Sequence, residues 1–152
     1  MTSSLPNIAD ATAAEPLPFM PELFKTTAER GTVLIAGRCA RCGTYSFPRR
    51  SICSRCGPGP NVIPAELDGQ GRVYASTVVQ VPSPVGLKPP YAYGYVDLDA
   101  VPLRVFGLFA KTEAKGMKPG TPVKLIAEPL YPDASGRTLL AYKFARAEGG
   151  ET

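Results

Sequence analysis

Histidine and tryptophan are both absent from these 152 residues. Without histidine, the chain lacks the commonest general base and the usual partner of a catalytic serine or cysteine. It contains no G-x-S-x-G nucleophile elbow. No apolar run approaches the ~18 residues that would span a bilayer, so no membrane span is expected. The N-terminus, MTSSLPNIADATAAEP, has no basic n-region and no long apolar core, so it does not read as a secretory signal. What is abundant is punctuation: 17 prolines and 15 glycines, with aliphatic and aromatic runs between them. That pattern predicts a mainly β chain of short strands and frequent turns, not disorder.

All four cysteines lie between Arg38 and Gly57, in RCARCGTYSFPRRSICSRCG. Cys39 and Cys42 form one Cys-x-x-Cys pair, Cys53 and Cys56 another, with ten residues between the pairs. Two such knuckles face to face supply the four soft ligands of a tetrahedral zinc ion. Each pair is followed by a glycine, Gly43 or Gly57, which lets the backbone turn behind the second cysteine and aim amides at the sulfurs. Two disulfides or a redox dithiol compete as readings; paired glycine-followed knuckles argue for metal. Four cysteine ligands close the coordination shell, so the zinc is expected to be structural. A twenty-residue ribbon buries too little apolar surface to fold alone, and metal binding worth ~10–16 kcal/mol supplies the difference. Cysteines arranged for metal suggest a reducing, cytoplasmic setting.

Five arginines, Arg38, Arg41, Arg49, Arg50 and Arg55, lie in the same stretch with no acid between them. The whole chain has a formal charge of +4, so the positive surplus is local to the ribbon. Four thiolates on one zinc lower that surplus, leaving it moderate. Arginine forks suit phosphates, which makes these five the candidate contacts to a phosphate-bearing partner. The same arginines also offset the negative metal site, and both readings stay open.

Along the chain, residues 1–17 read as a flexible tail and 18–31, PFMPELFKTTAERG, as a short helix. Pro21 would sit in its first turn, Phe19, Met20, Leu23, Phe24 and Ala28 on its apolar face, and Gly31 at its end. The zinc ribbon spans 32–60, with Tyr45 and Phe47 as its small core and Pro58 to Pro64 as a rigid connector. Residues 61–146 read as five strands: 71–81, 91–98, 103–109, 123–128 and 138–145. In the first, Val73, Ala75, Thr77, Val79 and Val81 share a face. In the second, Tyr91, Tyr93 and Tyr95 share a face, and alternate aromatics ordinarily pack inward. Five strands with glycines at bends fit a small closed barrel of the OB type; an open sandwich is the alternative. The loop 82–90, carrying Lys88, reads as a barrel connection, and 147–152 as a second flexible tail.

The succession RCARCG…FPRRSICSRCG, GRVYASTVV and PPYAYGYVDLD resembles the acyl-CoA-associated OB-fold family with an N-terminal rubredoxin-like zinc ribbon. The resemblance runs from about Phe19 to Ala145. Its most specific pieces are the two Cys-x-x-Cys-Gly knuckles, Phe47-Pro48-Arg49 before the second knuckle, and Pro90-Tyr91 at the start of a strand. It implies a non-catalytic subunit of a hetero-oligomer. The partner would be a thiolase, a thiolase-like aldolase or a MaoC-type hydratase, and the zinc ligands would be Cys39, Cys42, Cys53 and Cys56. A coenzyme A thioester, for instance of an aromatic acyl group, would be the substrate bound by that complex.

The residues alone agree on one point: without histidine, a free thiol or a nucleophile elbow the chain is poorly equipped for acyl chemistry, so no catalytic residue is assigned. Asp97 and Asp99 sit at a strand end and turn, where acids are ordinarily solvated. A single-stranded nucleic-acid module is the competing class, with Tyr91, Tyr93 and Tyr95 as a stacking platform. It is disfavoured because strong phosphate binding needs several positive contacts, and in the barrel segment 61–146 ten basic residues are interspersed with seven acidic ones. A structural adaptor that holds an enzyme dimer together without touching substrate is the third reading.

Overall fold

The computed structural model describes residues 17–84, 86–132 and 134–147. Most of both expected tails, residues 1–16 and 148–152, lies outside them. Ten strands and one 3₁₀ turn make up the described chain, in two sheets that share a core.

The first sheet is built on a nine-residue strand, Gly31–Cys39. It is β3 in chain order, after β1 (Leu17–Pro18) and β2 (Phe24–Thr27). Its run of Thr, Val, Leu and Ile favours extended backbone, and Val33, Leu34 and Ala36 are fully buried. β2 pairs with it antiparallel from Phe24↔Leu34 to Thr27↔Gly31. A short strand β4 (Tyr45–Ser46) and a longer one, β5 (Val62–Asp68), also pair with β3.

The expected helix over 18–31 is therefore not formed. Its residues make a short turn and then a β-hairpin closed at Gly31, whose φ of 72° suits glycine. Cross-strand contacts outweigh helix propensity here. Thr26 and Thr32 hydroxyls meet at 3.2 Å, and Thr27 Oγ1 accepts the Arg30 N–H at 3.0 Å. Lys25 and Arg30 both pair with Glu66 of β5, and Arg30 also reaches Asp68 at 2.9 Å. The supposed apolar face is split: Phe24 is buried in the core while Phe19 and Met20 are exposed. The stretch read as a connector is likewise part strand, since β5 begins at Val62 and runs along β3 down to Cys39.

The second sheet is a closed five-stranded barrel. It consists of β6 (Gly71–Val79), β7 (Tyr91–Leu98), β8 (Arg104–Phe109), β9 (Pro122–Pro132) and β10 (Thr138–Arg146). Going round, β6 pairs with β7, β7 with β8, β8 with β10, β10 with β9, and β9 with β6. The β8–β10 pair is parallel and the other four are antiparallel, a Greek-key closure that leaves no free edge. β1 adds to β10 in parallel from outside.

Inside, Val73, Val96, Val105, Val123 and Phe144 join Phe24, Leu34 and Leu67 of the first sheet in one cluster. Ribbon and barrel thus share apolar burial. Tyr142 extends this contact: its ring meets Phe24 and Phe47 edge-on, each at 5.8 Å, and its hydroxyl donates to Phe106 O at 2.6 Å.

Two facing assignments differ from the alternation expected. The β6–β7 register shifts between Val73 and Ala75, a bulge at Tyr74 that reverses the strand's phase. After it Val78 packs on the core, and Ser76, still exposed, donates its Oγ to Met117 O at 2.9 Å. In β7 the inward set is Ala92, Gly94, Val96 and Leu98, so the tyrosines face out. Tyrosine does not fit there because β6 backbone crosses directly over Gly94: a Cβ on it would strike Ala75 O.

Candidate metal centre

The four cysteine sulfurs come together at one end of β3. Cys39 is the last residue of that strand, held by its own N–H to Thr44 O at 2.9 Å. The chain then turns through the first knuckle, where Gly43 (φ 80°) donates to Cys39 O at 2.7 Å. The second knuckle repeats the turn, with Gly57 (φ 83°) donating to Cys53 O at 2.9 Å. Both glycines therefore do the conformational work their spacing suggested.

All four sulfurs lie within 4.8 Å of one another. Cys39 and Cys56 sulfurs are 3.8 Å apart and those of Cys42 and Cys53 3.6 Å. Zinc bound at about 2.3 Å by four tetrahedral thiolates spaces them about 3.8 Å apart, so the cage fits zinc. The cysteines are free, not paired as disulfides. Cys39 and Cys53 are buried, and no fifth side chain of ligating type joins the cluster among the described residues. The shell is closed, so the zinc is structural.

Neighbouring donors prepare the sulfurs for metal. Arg55 and Cys56 N–H groups point at Cys53 Sγ, each at 3.4 Å. The Cys42 N–H, with a smaller contribution from Arg41, holds the Cys39 thiol below its ordinary value. Thr44 lies beside Cys42, Oγ1 to Sγ at 3.1 Å, and its hydroxyl and amide bring that thiol down to about 6. Conversely the neighbouring sulfurs, Cys42 first, push Cys56 up to about 12. Four thiolates do not coexist there without a cation. Thr44 was missed in the sequence; a hydroxyl residue directly after the knuckle glycine was the available signal.

The five ribbon arginines are all exposed, and none has a carboxylate partner among the described residues. Arg41 and Arg55 sit in the knuckles themselves. The Arg38 guanidinium passes 3.9 Å from the Cβ position of Gly43, and the Arg49 stem crosses Gly37 of β3. The Arg50 N–H bonds to Ser46 Oγ at 3.4 Å. Asp97, by contrast, is held by Arg104 through two oxygens at 2.6 and 3.1 Å, which keeps its carboxyl below the usual range. Arg104 also stacks 3.4 Å over the Tyr74 ring. Asp97 is a surface ion-pair partner rather than a free acid.

Comparison with known proteins agrees with this architecture. Residues 33–60 match the family described as ChsH2, rubredoxin-like zinc ribbon domain, and residues 65–127 the one described as ChsH2, C-terminal OB-fold domain. The chain is 30% identical over 130 residues to benzoylsuccinyl-CoA thiolase subunit BbsA of Thauera aromatica, covering 84% of this chain and 87% of that one. It is also 30% identical over 117 residues to a DUF35 domain-containing scaffold protein of Methanocaldococcus jannaschii, covering 76% and 82%. Among solved structures, the Ltp2-ChsH2(DUF35) aldolase superposes with a TM-score of 0.59 at 26% identity, over 75% of this chain and 84% of that one.

Proposed function

The chain belongs to the ChsH2-type (DUF35) family of zinc-ribbon and OB-fold proteins, and from that premise we propose that it is the non-catalytic subunit of an acyl-CoA-processing enzyme. The preferred partner is a thiolase. The observation that carries this is the 30% identity, over most of both chains, to a protein named as a thiolase subunit. The chemistry of the chain supports it. Histidine is absent, and all four thiols belong to the metal cage. The partner supplies the nucleophile and base; this chain supplies arginines and packing surface.

The five arginines, free of internal carboxylate partners among the described residues, are suited to the phosphates of a coenzyme A thioester. A thiolate cage of this kind also suits a reducing cytoplasm. An aldolase-type partner is the second reading, favoured by the superposition on the Ltp2-ChsH2(DUF35) aldolase. The outward aromatics Tyr74, Tyr95 and Phe106, roughly half exposed, are of the residue types that anchor protein interfaces.

A mild affinity pull-down of the tagged chain from its native host tests the proposal. A thiolase-like or aldolase-like subunit recovered in near-equal amounts is the expected result. Recovery of RNA and its binding proteins, lost on nuclease treatment, would overturn it in favour of nucleic acid. In the assembled enzyme, Arg49→Ala with Arg50→Ala should raise the KM for the thioester while zinc content stays whole. Unchanged kinetics would remove these two arginines from the proposal.

A further inference from the structure

A cleft of about 300 Å³ lies at one end of the barrel and is lined by no residue of the metal ribbon. It lies between residues 86–90 of the β6–β7 loop, residues 109–114 after β8, and residues 130–132 at the end of β9, where the β9–β10 hairpin turns. In OB barrels, the loops joining strands one to two and four to five flank the ligand site. These are the corresponding loops. Apolar and aromatic side chains make up much of its wall: Leu87, Tyr91, Phe109, Leu130 and Tyr131. Three lysines line the cleft as well, Lys88, Lys111 and Lys143, and among the described residues no carboxylate does.

Lys143 is the unusual one, since only 5% of it is exposed. Lysines are almost never buried without a partner. Its partner is Glu128, with Nζ 3.1 Å from Oε1, and the same oxygen accepts the Lys111 N–H at 3.1 Å. One carboxylate thus balances Lys143 and also fixes the start of the 3₁₀ turn (Lys111–Glu113). That leaves Lys88 and Lys111, both exposed, as charges that no carboxylate among the described lining residues neutralises.

We propose that this cleft is a binding site for a small carboxylate with an aromatic or branched apolar body. The apolar walls would take the body and the lysines the anion. Its size is at the low end for ligand clefts, enough for a ring and short chain but not for a nucleotide-bearing thioester. The site is remote in sequence from the ribbon arginines and does not depend on the partnership proposed above.

The test is amide NMR on the zinc-loaded full chain, titrated with 3-phenylpropanoate and, separately, with the neutral 3-phenylpropanamide. Saturable shifts at Leu87, Lys111, Leu130 and Lys143 are expected for the acid. Binding of the amide should be weaker by about tenfold or more, the worth of a charged hydrogen bond. Lys88→Ala with Lys111→Ala alters only exposed side chains and should reproduce most of that loss with the barrel spectrum intact. Three results would each overturn the proposal: no saturable shift, equal affinity for acid and amide, or shifts confined to the arginine-bearing ribbon. Partner binding does not enter the experiment, so its outcome is separate from that of the pull-down.

Discussion

Removing zinc should melt residues 40–61 and leave the rest of the chain folded. Cys56→Ser, or chelation of the wild type, is the perturbation. Between the knuckles, Tyr45 and Phe47 are only partly buried at the edge of the core, and the Phe47 ring meets Tyr142 edge-on at 5.8 Å. Such an edge-on pair contributes about 0.5–1.5 kcal/mol. β4 has two residues. The backbone entropy of ordering this stretch greatly exceeds these contacts, and metal binding, which in such ribbons is folding free energy, supplies the missing stabilisation. β3 and β5 are different: they pair over seven residues, and Leu34, Ala36 and Leu67 lie in the shared core.

Hydrogen exchange reads this directly. If only ~5 kcal/mol of local stability is lost, the Gly43 and Gly57 amides, bonded in the knuckle turns, should exchange about 10³–10⁴ times faster. The amides of Val96, Val105 and Phe144 should change little. Retained protection at Gly43 and Gly57 would refute the claim that the metal holds the ribbon. Simultaneous loss at Val96 and Phe144 would refute the claim that ribbon and barrel are separable in stability.

Zinc binding to the reduced, metal-free protein near pH 7.5 should release nearly four protons, because the cysteines of a melted ribbon carry an ordinary thiol pKa of ~8.5 and are mostly protonated. Calorimetry in buffers of differing ionisation heat counts them, and release of one or none would show that the cage is already formed without metal. Gly94→Ala should cost about 1–3 kcal/mol or prevent folding, because its Cβ meets β6 backbone rather than a yielding side chain; urea unfolding measures it. Tyr142→Phe should cost about 0.5–1.5 kcal/mol through the lost hydroxyl bond to Phe106 O. Burial pushes Tyr142 up to about 12, above an unfolded value near 10. Its contribution is therefore whole below pH ~10 and lost as pH rises toward ~12. The phenylalanine variant should lack that component of the alkaline fall in stability.

Much of this was legible in the linear chain, because its determinants are local. A Cys-x-x-Cys-Gly knuckle needs only a turn within five residues, so the zinc cage can be read from Cys39, Cys42, Cys53 and Cys56 alone. Strand positions in the barrel likewise followed from runs of β-branched and aromatic residues between glycines and prolines. The absence of histidine is likewise a fact of the linear chain, and it removes the commonest general base. Tertiary structure decided what depends on residues far apart. Phe24 to Thr27 became a strand instead of a helix because β3 and the carboxylates of β5 were there to pair with it. The tyrosines of β7 turned outward because β6 backbone leaves space inside only for Gly94. The bulge at Tyr74 reversed a face that strict alternation had fixed. And the pairing of Lys143 with Glu128, fifteen positions apart in sequence, exists only because two antiparallel strands place them on one side of the barrel, where Coulomb attraction in a poorly solvated site holds them together.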